Sequence, residues 1–64
     1  MDVSEMRKTL IESGFRRDFI ESHNDYFICG LFEVRDVEDP DTQMDNTLDF
    51  LEYFGIDESE AFND

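Results

Sequence analysis

The architecture turns on one segment, Tyr26-Phe27-Ile28-Cys29-Gly30-Leu31-Phe32-Glu33-Val34-Arg35, the most apolar in a chain of 64 residues. Its even positions Tyr26, Ile28, Phe32 and Val34 are apolar, with Gly30 among them. Its odd positions begin apolar at Phe27, Cys29 and Leu31 and turn charged at Glu33 and Arg35. Alternation with period 2 predicts a strand over 26–37, its even face in the core and its odd face covered only at the start. Gly30 then marks a bulge or a close backbone approach.

Working upstream, Phe15-Arg16-Arg17-Asp18-Phe19-Ile20-Glu21-Ser22 fits a strand or a short helix, because Phe15 and Phe19 share a face in both. The turn chemistry of Ser22-His23-Asn24-Asp25 favours the strand and makes 15–37 a hairpin. A two-stranded hairpin is marginal in water, so a second copy pairing its own hairpin, a homodimer, is expected. Before it, Val3, Met6, Leu10 and Ser13 recur at helical spacing. Asp2 with Glu5 supplies a start, and Gly14 with Phe15 a left-handed stop, for a helix over 3–13.

Downstream, Val37-Glu38-Asp39-Pro40-Asp41 reads as a linker whose proline suits the first turn of a following helix. Over 41–54, at 100° per residue, Met44, Thr47, Leu48, Phe50, Leu51 and Phe54 share one arc. Asp41, Asp45, Asp49 and Glu52 fall on the other side, with Tyr53 at the boundary. Gly55 ends this helix, Ile56 folds back on it, and Asp57 caps a last turn through Ala61 and Phe62 before a frayed end. The expected architecture is a single α+β domain over 1–64, in the order helix, hairpin, acidic helix (αββα).

Charge is distributed as unevenly as hydrophobicity. Residues 36–64 hold eleven acids and no Lys, Arg or His, whereas the first thirty-five hold seven acids and all five bases, so the net charge of −13 splits into −2 and −11. That balance argues against direct nucleic-acid binding and against anionic lipid surfaces. No run approaches the roughly 20 apolar residues of a membrane span, and the acidic start has no signal-peptide pattern. Nine aromatics argue against a disordered acidic tail. The lone Cys29 reads as a small buried hydrophobe in a reducing cytoplasm.

No catalytic constellation is visible, since nothing orients His23 or Cys29 for chemistry. Asp39, Asp41 and Asp45 lack the loop glycine and terminal Glu of a calcium loop, and Pro40 intrudes, so neither metal nor cofactor is expected. The basic pairs Arg7-Lys8 and Arg16-Arg17 are expected to salt-bridge to the acidic half.

Ordinary solvated helix faces mix acids with Lys, because opposite charges at i,i+4 stabilise and like charges destabilise. A cation-free face therefore points to a basic partner. The candidate partner-binding residues are Asp36, Glu38 and Asp39 in the linker, Asp41, Asp45, Asp49 and Glu52 on the helix, and Asp57, Glu58 and Glu60 in the tail. Tyr53 and Phe62 are the apolar anchors set among them. In length, charge, aromatic richness and its cation-free half, the chain resembles the small acidic DNA-mimic inhibitors of bacteriophages and mobile elements. Their targets include the nucleoid protein HU and proteins of DNA repair, restriction, transcription and CRISPR defence. The resemblance implies a non-enzymatic cytoplasmic inhibitor, often dimeric, that covers the basic nucleic-acid-binding surface of a host protein. The alternative is an acidic adaptor or regulator with a target unrelated to nucleic acid.

Overall fold

Two helices begin and end as their sequences require. The Asp2 carboxylate accepts from the Glu5 N–H at 2.9 Å and opens α1, Val3–Glu12. Gly14, at φ +116°, closes it: the Gly14 N–H bonds to the Ile11 carbonyl and the Phe15 N–H to the Leu10 carbonyl. The same pair of bonds recurs after α4, Pro40–Tyr53, where Gly55 at φ +70° donates to Glu52 and Ile56 donates to Leu51. Positive φ is cheap only for glycine, so both stops are written in the sequence.

The middle of the chain departs from the expected hairpin. In the computed structural model, which describes residues 2–63, Phe15 leads into a short helix α2, Arg17–Ser22, and the apolar segment is a helix, α3, Asp25–Val34. A final turn, α5, Glu58–Ala61, follows Asp57. Among the described residues the molecule is all-α, and its one strand-like contact is an antiparallel bridge between Phe15 and Phe62. The α+β expectation is overturned, and a dimer built by pairing hairpins falls with it.

The physical reason lies at Asn24. Its side chain accepts from the Phe27 N–H at 2.9 Å, an N-cap, so residues that suit a turn open a helix here. A seven-residue apolar run satisfies either period. As a helix it buries Ile28 and Leu31 completely and lays Phe27, Phe32 and Val34 against the core.

α3 sits between α1 and α4, while α2 packs on α1 and carries α5. Each element contributes to one core: Leu10 from α1, Phe15 from the first turn, Phe19 and Ile20 from α2, Ile28 and Leu31 from α3, Leu51 from α4 and Ala61 from α5. The chain end is tied in by backbone bonds from Arg16 to Ala61 (2.7 Å) and from Asn63 to Gly14 (2.9 Å). Asp64 lies outside the described residues.

Polar side chains seal the α3–α4 seam. Gln43 Nε2 donates to the Arg35 carbonyl at 2.8 Å and Asn46 Nδ2 to the Val34 carbonyl at 3.1 Å, satisfying carbonyls that the end of α3 would leave open. Thr47, fully buried, donates to the Gln43 carbonyl (2.7 Å) and accepts from Arg35 Nη1 (3.0 Å). The Arg35 guanidinium lies 5.0 Å above the Phe15 ring, and desolvation there pushes its pKa down.

Candidate functional site

The acidic residues singled out from the sequence divide among three places. α4 carries Asp41, Asp45, Asp49 and Glu52 exposed on one side, one carboxylate about every 4.5–6 Å along its axis. Asp36, Glu38 and Asp39 precede it, all exposed. Asp57, Glu58 and Glu60 are exposed on a separate element, α5, which packs on α2. The row on α4 is the part that one rigid element holds in line.

Two of these carboxylates also work locally. Asp39 caps α4, accepting from the Thr42 N–H at 3.0 Å and from the Thr42 hydroxyl at 2.8 Å. Those bonds, the hydroxyl first, hold its carboxyl below the usual carboxylate range. Asp57 caps α5 through the Ser59 N–H at 3.2 Å.

Ion pairing runs against the sequence expectation. Arg7 reaches Asp25 (2.9 Å), Arg16 reaches Asp18 (3.2 Å) and Arg17 reaches Glu21 (3.9 Å), so every ion pair among the described residues lies within the first thirty-five. Arg7 also donates to the Ile20 and His23 carbonyls and thereby clips α1 to the end of α2. None of the basic pairs turns to the acidic half. Among the described residues, the one cationic side chain hydrogen-bonded to that half, that of Arg35, meets the neutral groups of Thr47 and Gln43. The described carboxylates from Asp36 onward have no Lys, Arg or His of this chain within ion-pair distance.

The two proposed anchors fare differently. Tyr53 is 84% exposed, and its ring meets that of Phe54 edge-to-face at 5.1 Å between ring centres. Phe62 is half-buried and stacks on Phe15 at 4.6 Å, so its ring is occupied in joining the chain end to the core.

A second surface feature could not be placed from the sequence. Ring contacts run without a break from Phe62 through Phe15, Phe19, His23 and Phe27 to Phe50 and Phe54, and the last three rings lie 4.9–5.1 Å apart. This ladder leaves the core and surfaces between α3 and α4. There Tyr26 is 91% and Phe54 50% exposed, around an open hollow of about 630 Å³ floored by Phe27, Gly30 and Phe50. The His23 ring, stacked on Phe27 at 4.1 Å, stands at one end. Its Nδ1 donates to the Phe19 carbonyl at 2.8 Å, since a carbonyl can only accept, and this leaves Nε2 as the acceptor of the neutral ring. The sequence signal for this surface was the recurrence of Phe50, Phe54, Phe27 and Tyr26 in excess of what a small core takes in. Its location depends on α3 being a helix.

Among the described residues no three His, Cys, Asp or Glu side chains converge as a metal-ligand set, and no helix is long and apolar enough to cross a membrane. Comparison with protein-family models, with curated proteins and with solved structures gave no match.

Proposed function

We propose that this protein is a non-catalytic acidic binder that occupies a basic nucleic-acid-binding surface of another protein in the cytoplasm and so competes with nucleic acid for it. One observation carries the reading: the described carboxylates from Asp36 onward, all exposed, have no ion pair with the chain's own cations. Like charges at i,i+4 on α4 work against the free helix, a cost that a cationic partner removes. The α4 row is sparser than DNA, which places a phosphate every ~3.4 Å per strand, and the acids before Pro40 supplement it. Charge of this density steers encounter and makes binding sensitive to salt.

A second reading, an acidic adaptor whose target has no connection with nucleic acid, is favoured by the exposed aromatics Tyr26, Tyr53 and Phe54. Affinity in that case rests on apolar burial and survives high salt. Capture from a cell extract, repeated across salt and with duplex DNA as competitor, separates the two. The first reading expects nucleic-acid-binding proteins, displaced by DNA and lost when Asp45, Asp49 and Glu52 are all changed to Lys. Capture indifferent to DNA, to salt and to that triple change contradicts it.

A further inference from the structure

We infer that the hollow between α3 and α4 is a docking groove for a basic amphipathic helix of a partner protein. That helix places one large apolar side chain against Phe27, Phe50 and Phe54, while its Lys or Arg residues meet Glu33 and Asp49.

Three observations lead there. The first is Gly30, inside α3, where glycine costs about 1 kcal/mol relative to alanine. A Cβ at this position would meet the Phe50 ring at 3.2 Å, so the bare backbone is what lets that ring come this close to α3. The second is continuity. Tyr26 and Gly30 also border a neighbouring hollow of about 400 Å³, and Phe50 borders another of about 430 Å³, so a trough extends along α3. α3 has ten residues, about 15 Å, the length of a three-turn helix laid alongside it.

The third observation, charge, selects the occupant. Glu33 borders both side hollows and Asp49 borders one, and neither has a cation of this chain within ion-pair distance. Asp25, at the other end, is already held by Arg7. Apolar floor and acidic rim together fit an apolar stripe flanked by cations. A second copy of this chain would bring the same Glu33 and Asp49 and another net charge of −13 against the rim, so self-docking is disfavoured. The inference deepens the proposed function and rests on it only for the basic character of the partner.

The test uses the intact protein and three synthetic helical peptides of about 14 residues, roughly four turns. One carries a Leu/Phe stripe flanked by Lys, one the same stripe with Gln for Lys, and one the Lys residues with Ser in place of the stripe. The first should bind at least about tenfold tighter than either other, and shift the amide signals of Gly30 and Phe50. Phe54→Ala and Gly30→Ala should each weaken it several-fold, and the melting temperature of Gly30→Ala confirms that the fold is kept. Equal binding by the peptide without the stripe overturns the inference. So does a free protein that sediments as a dimer which Phe54→Ala dissociates. Failure of DNA to compete in the capture experiment would remove the decoy reading and leave the groove standing, so the two fail separately.

Discussion

The first thirty-five residues and the remainder solve the same electrostatic problem in opposite ways. In the first part, Arg7, Arg16 and Arg17 each find a carboxylate a short distance away, and Arg7 reaches two backbone carbonyls as well. In the second part the fold is held by apolar contacts, one glycine stop at Gly55 and neutral side-chain bonds from Gln43, Asn46 and Thr47, and its described carboxylates are left exposed. Repulsion on a helix surface is a small term per pair, while burial of an aromatic is a large one. A helix can therefore keep a one-sign face provided its other face is well anchored. The lesson is that structure and charge are decoupled in α4: its buried face builds the fold, and its outer face is free to serve a partner.

The largest effect should come from breaking the seam where the two parts meet. Phe15, fully buried, stacks on Phe62, neighbours Phe19 and lies under Arg35. Phe15→Ala should cost about 3–5 kcal/mol, comparable with the whole stability of a chain this size. Urea denaturation followed by circular dichroism measures it. A loss below about 1 kcal/mol would mean that the two parts are joined elsewhere.

A smaller effect sharpens the contrast at Asp39, whose pKa is set by local bonds. Because Thr42 depresses the Asp39 carboxyl in the folded state, its contribution is present above the usual carboxylate range and is lost as pH falls through the lowered value. Asn at this position keeps the cap and does not titrate. The difference in melting temperature between the native protein and Asp39→Asn should therefore change as pH falls below about 4, to the detriment of the native chain. A difference independent of pH would refute the role given to the Thr42 bonds.

How much of this was legible depended on whether the signal was local. Asp2, Gly14, Pro40 and Gly55 act within a turn of where they stand, and they marked α1 and α4 to within a residue or so. The segment from Tyr26 to Val34 was different, because a run apolar on every side carries no period of its own. The deciding residue was Asn24, whose side chain serves a hairpin turn and a helix cap equally well. A twelve-residue span was also long for a strand, a cue that favoured the helix. The acid row on α4 followed from 100° spacing. The ion pairs did not follow from net charge, which suggested attraction across the halves, although Arg17 and Glu21 stand at i,i+4 and could be paired by inspection. The aromatic groove depended on tertiary packing of α3 against α4, which no local pattern encodes.

The central claim, that the α4 carboxylates are uncompensated, is tested most directly by the melting temperature of the free protein in low and high salt, beside the double variant Asp45→Lys, Glu52→Lys. That change would alternate the charges along Asp41, position 45, Asp49 and position 52, replacing like neighbours by opposite ones. The native protein should melt several degrees higher in about 1 M salt, where the screening length falls to about 3 Å. In low salt the variant should melt above the native protein and gain less from added salt. A native melting temperature flat across salt, with a variant no more stable than the parent, would contradict the account.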